Sequence, residues 1–161
     1  MTTRNNVRAR LLDYADALGV RVIYADLTAL DRDGEYDHRT RTIRLQHGMA
    51  PRLWASVMAH ELAHAVFEDV PSKFGPVNAK QERRADEWAA LRLISFCAYK
   101  EAELHYGGNT RGIAVALGVI EDIVLAFQRI LLRLGDTVYV KPRMGAGQWD
   151  VRIDLEEAGV A

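Results

Sequence analysis

The sequence has one cysteine, Cys97, and this scarcity excludes two kinds of site. A single thiol cannot form an internal disulfide framework, and it cannot provide the cysteine-rich ligand set of many structural zinc sites. Because Cys97 lies in the apolar segment 93–98, we expect a small buried side chain rather than a reactive thiol.

Long apolar runs and an excess of one charge are also missing. No apolar run approaches the ~20 residues that span a bilayer, and the polar N-terminus lacks the apolar segment of a signal peptide. The 21 Lys and Arg residues balance the 22 Asp and Glu residues, so a net charge of −1 creates no overall field that would attract nucleic acid or an anionic membrane. These absences predict a cytoplasmic protein with neither a membrane nor a nucleic acid as its partner.

The composition that remains suits one ordinary globular domain. The chain has 161 residues, of which 49% are hydrophobic and 27% charged, enough to build a core. Hydrophobic periodicity predicts strands at 20–24 and 41–45 and helices at 5–18, 51–68, 78–103, 110–117 and 121–134. The predicted fold class is α+β, mostly helical, with a small antiparallel N-terminal sheet ahead of the helix 51–68. Residues 1–136 form the predicted domain, and 137–161 a short strand and a flexible tail.

Residues 60–64 read His-Glu-Leu-Ala-His and lie inside the predicted helix 51–68. Positions i and i+4 share a helix face, so the imidazoles of His60 and His64 can both bind one zinc ion. Glu61 follows the first imidazole and is placed to act as general base on a water without ligating the metal. The alternative is a pair of core histidines with other partners, but the apolar flanks on both sides favour the metal site.

A catalytic zinc site usually has three protein ligands, and Glu82 is the best candidate for the third. It lies early in the helix 78–103, after a loop that turns the chain back towards the two histidines. Asp86, one turn further along the same face, is suited to accept the free ring N–H of a ligating histidine. Two alternatives remain open. The segment 81–87 is an ordinary solvated charged face, or Glu68 is the ligand, although it lies a full turn beyond His64.

Together these motifs resemble the ImmA/IrrE family of metallopeptidases, within the zincin group. The likeness is carried by 58–65, which read Met-Ala-His-Glu-Leu-Ala-His-Ala, and by 82–90, which read Glu-Arg-Arg-Ala-Asp-Glu-Trp-Ala-Ala. Residues 34–37 and 42–45 are similar to the family's short sheet ahead of its active helix. The likeness covers roughly residues 5–135. One departure concerns 91–96, where the family often has Leu-Leu-Met-Pro and this chain has no proline.

The resemblance implies a zinc-dependent endopeptidase that acts in the cytoplasm on a protein partner. That partner would be a helix-turn-helix repressor of a phage or another mobile element, and its inactivation would release the promoters it controls. A rival hypothesis is a non-cleaving anti-repressor that binds and sequesters the repressor. The presence of Glu61 favours the enzyme, because a binder needs only the metal ligands.

Two further features have interpretations that stay open. The strand 42–45 offers an edge with which an extended substrate can pair, or it is an ordinary sheet strand. Residues 111–124 have the spacing of a helix-turn-helix, with Gly118 at the turn. The second helix of this pair opens with Glu121 and Asp122, so packing against the domain or a partner is favoured over DNA binding.

Overall fold

A computed structural model of the protein describes residues 3–134, 137–143 and 148–154. The helices in this part of the chain are α1 (Thr3–Ala17), α2 (Pro51–Val66), α3 (Gly75–Leu93), α4 (Phe96–Tyr106), α5 (Thr110–Leu117) and α6 (Glu121–Leu134). The strands are β1 (Arg21–Ala25), β2 (Gly34–Asp37), β3 (Thr42–Gln46), β4 (Thr137–Arg143) and β5 (Gln148–Asp154). A mostly helical chain with a small N-terminal sheet confirms the predicted α+β class.

The N-terminal sheet has the strand order β1-β3-β2, with β3 in the centre. β2 runs antiparallel to β3, but β1 runs parallel to it, from Arg21 opposite Thr42 to Ala25 opposite Gln46. The predicted antiparallel pairing is therefore wrong for β1, because the connection through β2 is long enough to bring the chain back in the same direction. The strand order also shows that the strand 42–45 has no free edge, because β3 is paired on both sides. The edge strands of this sheet are β1 and β2.

The core lies between this sheet and α2. Ile43 and Leu45 of β3 and Met58 and Leu62 of α2 are fully buried in one hydrophobic cluster. α2 begins with Pro51, whose missing N–H costs nothing at the first helical position. Burial of these apolar side chains on one face fixes how α2 rotates about its axis, and it thereby directs the opposite face towards α3.

The helix predicted over 78–103 is two helices, α3 and α4. Ile94 and Ser95 between them have extended backbone angles, and the Ser95 side chain accepts a hydrogen bond from the Ala98 N–H at 3.2 Å. Serine in this position caps the start of a new helix. The apolar spacing runs on through the break, and for that reason periodicity alone did not reveal it.

α5 and α6 have the predicted bounds and pack into the domain. Gly118 ends α5 with φ 71°, a left-handed conformation that favours glycine. Val119, Ile123 and Val124 are buried in the same cluster as α2. The Ile120 N–H donates to the Ser56 hydroxyl at 3.0 Å, which joins the start of α6 to the middle of α2.

The C-terminal segment contains the predicted strand and one more. β4 begins at Thr137 as predicted but extends to Arg143, and it pairs antiparallel with β5, which the sequence analysis did not predict. Residues 144–147 and 155–161 of the predicted flexible tail lie outside the described residues. Within the described residues, no helix is both long enough and apolar enough to cross a membrane. Cys97 is exposed, contrary to expectation, because it lies on the outer side of the first turn of α4.

Replacing Ser56 with alanine tests the join between α2 and α6. Ser56 is fully buried, so Ser56→Ala leaves the Ile120 N–H without its acceptor, and we expect a loss of about 1–3 kcal/mol in the free energy of unfolding. Ser72→Ala is the matched control, because the Ser72 hydroxyl accepts from the Phe74 N–H at the surface, where water can replace it. Denaturant unfolding that shows equal losses for the two variants would contradict this role.

Candidate metal centre

The face of α2 opposite the core carries two imidazoles. His60 and His64 lie one turn apart, and their Nε2 atoms are 3.0 Å from each other. Fully buried Ala63 lies on the same helical face between them, and a side chain that small lets α3 approach closely. The helical spacing inferred from the sequence therefore does bring the two rings together.

α3 brings a carboxylate to the same point. Glu82 Oε2 lies 3.2 Å from His60 Nε2, and Glu82 Oε1 lies 3.5 Å from His64 Nε2. These three residues form a group whose ligand atoms all lie within 4.8 Å of one another. Ala85 and Ala89, which share this face of α3, are fully buried. The loop between the helices returns the chain as the sequence analysis expected.

Each imidazole has a carboxylate behind it. His60 Nδ1 lies 2.9 Å from Asp86 Oδ1, in the arrangement predicted for Asp86. His64 Nδ1 lies 3.0 Å from Asp69 Oδ2, a partner that the sequence analysis missed. A carboxylate accepts hydrogen bonds, so in both rings Nδ1 carries a hydrogen, and each Nε2 faces the other ring and Glu82, where it presents a lone pair once it carries no proton.

This tautomer arrangement makes the group suitable for a metal ion. Two Nε2 lone pairs and the Glu82 carboxylate face one another, and three acceptors at such distances repel unless a proton or a cation lies among them. The separations of 3.0–3.5 Å match the spacing of about 3.3 Å between ligand atoms around a tetrahedral zinc ion with bonds of about 2.0–2.1 Å. Two imidazoles and a carboxylate are also a common donor set of catalytic zinc sites.

The electrostatics of the site also favour positive charge. Burial lowers the pKa of His60, but hydrogen bonds to Asp86 and Glu82 and the charge of Glu61 outweigh burial and raise the pKa to about 10. The hydrogen bond with His60 likewise holds the pKa of Glu82 below its usual range, although burial opposes this. In the metal-free protein, a proton on His60 therefore occupies the place of the cation.

Glu61 lies beside this group and not within it. It is 8% exposed, and burial raises the pKa of its carboxyl group to about 7, against the opposing charge of His60. β2 passes so close to it that a Cβ on Gly34 would lie 3.1 Å from Glu61 Cγ and 2.5 Å from Val57 Cγ1. Glycine at this position lets the edge strand approach the carboxylate. A group with this pKa can both accept and release a proton near neutral pH.

The three candidate ligands and Glu61 line an open cavity of about 650 Å³. Its lining comes from β2 with the turn before it, from α2, from the start of α3 and from the start of α6. Val57, Val70, Pro71 and Ile120 contribute apolar side chains to this lining. The cavity therefore gives a large molecule access to the imidazoles from solvent.

Other carboxylates considered from the sequence lie elsewhere. Glu68 follows α2 with φ 53°, it is exposed, and its carboxylate forms a salt bridge with Arg41 at 3.9 Å. Glu68 does not belong to the ligand group, whereas its neighbour Asp69 turns inward to His64. Two adjacent acidic residues after a helix give no sequence signal that would distinguish these positions.

The comparison with protein-family models agrees with this geometry. The model of the IrrE N-terminal-like domain, Peptidase M78, matches residues 15–127, well over half of the chain. The chain belongs to this family. No curated protein sequence matches the chain. The resemblance to the ImmA/IrrE metallopeptidases inferred from the motifs is thereby confirmed.

Membership of the Peptidase M78 family identifies a zincin-type, metallopeptidase-like domain and implies a metal. The candidate ligands, His60, His64 and Glu82, all lie inside the matched region, as do Glu61 and Asp86. The roles of these five residues as metal ligands, general base and orienting carboxylate stay predictions. Their positions in the structure are compatible with those roles.

Loss of either carboxylate behind an imidazole should weaken metal binding. Asp69→Asn and Asp86→Asn each remove a charged acceptor from an imidazole N–H, and we expect metal affinity to fall about 10- to 100-fold in each variant. Asp13→Asn, on the exposed surface of α1, is the control for the charge change. Competition with a chromophoric chelator measures the affinities, and wild-type values in both variants would refute the orienting role.

Metal affinity should also rise with pH. Because the pKa of His60 is about 10 in the metal-free protein, a metal ion must displace a proton at neutral pH. Linkage of one proton raises the apparent affinity by about tenfold for each pH unit between 6 and 8. Chelator competition at three pH values measures this, and proton release into buffers of different ionisation enthalpy checks it. An affinity independent of pH would contradict the protonated state of His60.

Proposed function

We propose that the protein is a zinc-dependent metallo-endopeptidase that cleaves a cytoplasmic protein partner. The observation that carries the proposal is the position of Glu61. Its buried carboxyl group, with a pKa near 7, adjoins the cluster of His60, His64 and Glu82 in a cavity open to solvent. A domain that only bound metal for stability would have no use for an ionisable group at this point.

The residues of the chain have distinct parts in this reaction. His60, His64 and Glu82 would hold the zinc, which when bound supplies a Lewis acid that polarises a peptide carbonyl and acidifies water. Glu61 takes a proton from the attacking water onto its carboxylate and then gives it to the leaving amine. Asp86 and Asp69 hold the rings with Nδ1–H towards themselves, so that the two Nε2 atoms keep their direction.

The form of the cavity supports an extended protein segment as substrate. β2 is one of the two edge strands of the sheet and the one that lines the cavity, so its backbone groups can pair with an added strand. Gly34, the first residue of β2, adjoins Glu61, so a segment paired with β2 would pass the proton-accepting group. The proposed substrate edge is thus β2 and not the strand 42–45 considered from the sequence.

The proposed partner is a helix-turn-helix repressor of a phage or another mobile element. Support comes from the likeness to the ImmA/IrrE family and from the small size of the domain, since a short extended loop of a repressor suits a cavity of this size. A non-cleaving anti-repressor is the second candidate. Its support is the exposure of the apolar side chains of Val70, Phe74 and Val77 around the start of α3, which can contact a partner without cleavage.

Glu61→Gln separates these two functions. The amide cannot accept the proton of water, so we expect cleavage of the repressor encoded beside the gene to fall about 100- to 10,000-fold, while zinc and repressor binding persist. Mass spectrometry of the repressor after incubation measures the cleavage. Glu68→Gln is the matched control, because this exposed carboxylate lies outside the ligand group. If Glu61→Gln still inactivates an intact repressor, the protein is a sequestering anti-repressor.

A further inference from the structure

Arg84 is bonded to the carboxylate that orients His64. Its Nη2 donates a hydrogen bond to Asp69 Oδ1, while Asp69 Oδ2 accepts from His64 Nδ1 at 3.0 Å. One oxygen of the Asp69 carboxylate therefore accepts from the imidazole, and the other accepts from the guanidinium. Nothing in the sequence distinguished Arg84 from the exposed charges around it.

A second contact fixes the guanidinium group. The central carbon of the Arg84 guanidinium lies 4.0 Å from the centre of the Phe67 ring, over its face. Phe67 caps the end of α2, where its N–H donates to the Ala63 carbonyl at 2.9 Å. Stacking on an aromatic face and a fork of donors are properties of arginine that lysine lacks. Arg84 therefore joins the end of α2 to α3 beside the second imidazole.

The need for this pair follows from the burial of Asp69. Its side chain is 7% exposed, and a buried carboxylate is costly unless its oxygens are hydrogen-bonded to charged partners. His64 satisfies one oxygen only. Without Arg84, the other oxygen would have to reach water, and rotation of the carboxylate towards solvent would remove the acceptor from His64 Nδ1.

Asp86, the carboxylate that contacts His60, also has an arginine near it, but at longer distances. Arg129 Nη2 lies 3.7 Å from Asp86 Oδ2, and Arg129 Nε lies 4.0 Å from Glu87 Oε1, both longer than hydrogen bonds. Arg129 is shared between two carboxylates, whereas Arg84 contacts Asp69 and no other carboxylate within the described residues. The hydrogen-bonded chain from guanidinium to ring therefore exists at His64 and not at His60.

We propose that Arg84 is a positioning residue of the metal centre, which acts through Asp69 to keep His64 in the Nδ1–H tautomer with its Nε2 aimed at the metal position. This inference rests on the metal site of the proposed function. It adds a residue that touches neither metal nor substrate and that is set in place by the Phe67 ring.

Zinc affinity of the metal-free protein tests the proposal without a substrate. We expect Arg84→Gln to weaken zinc binding about tenfold or more, the size of effect seen when the partners behind a ligating histidine are lost. Arg83→Gln is the matched control, since it removes the same charge from the neighbouring, exposed position of α3 and should change the affinity by less than about twofold. Arg84→Lys should recover part of the loss, because it restores the charge beside Asp69 but not the planar group that stacks on Phe67.

The ring of His64 gives a second readout that a purely structural role would not change. In ¹⁵N NMR spectra of the metal-free protein, we expect His64 to carry its hydrogen on Nδ1 in the wild type and to mix tautomers in Arg84→Gln. Phe67→Leu keeps the arginine but removes the stacking surface, and it should produce a smaller shift of the same kind. If Arg84→Gln does not fold, the lysine and leucine variants decide the question.

The possible results separate this inference from the proposed function. Equal zinc affinities of Arg84→Gln and Arg83→Gln, or an unchanged His64 tautomer, would overturn the role of Arg84 and leave the metal site intact. A wild-type protein that binds no zinc would overturn both. Wild-type affinity in both Arg84→Lys and Phe67→Leu would overturn the part of the proposal in which the Phe67 ring sets Arg84 in place, because both variants lose the stacking and keep a cation beside Asp69.

Discussion

The close packing of α3 against α2 is the constraint on which the rest of the centre depends. Ala63 on α2 and Ala85 and Ala89 on α3 are fully buried on the faces that carry the imidazoles and the carboxylates. Side chains this small let the two backbones approach, and Glu82 Oε2 reaches 3.2 Å from His60 Nε2 as a result. A larger residue at Ala63 or Ala85, which lie outside the hydrophobic core cluster, would move the two helices apart and separate the ligand atoms.

The contact between α2 and α3 also determines how the candidate ligands and Glu61 are arranged. Carboxylates behind both rings turn the Nε2 lone pairs inward, and three converging acceptors then favour a cation. The edge strand β2, which approaches Glu61 at Gly34, leaves the carboxyl group buried beside that charge with its pKa near 7. A group of residues suited to a divalent ion, a proton acceptor and a strand edge in one cavity are the features on which the proposed hydrolysis of an extended protein segment rests.

Local signals in the sequence predicted much of this centre. The His-Glu-x-x-His spacing fixes two rings on one helical face, and Glu82 with Asp86 repeats that spacing on the next helix, so both pairs lie where expected. Asp69 was missed because its orientation depends on how the chain leaves α2, which tertiary contacts with Arg84 decide. The parallel pairing of β1 and the break at Ser95 were missed for similar reasons, since periodicity reports neither strand direction nor an N-cap inside an apolar run.

Zinc K-edge X-ray absorption of the zinc-loaded protein tests the convergence of His60, His64 and Glu82 most directly. We expect one zinc per chain, with two imidazole nitrogens and carboxylate or water oxygens at about 2.0–2.1 Å and no sulfur. A sulfur scatterer at about 2.3 Å would place the metal at Cys97 instead. A shell of oxygens without imidazole would likewise contradict the site between α2 and α3.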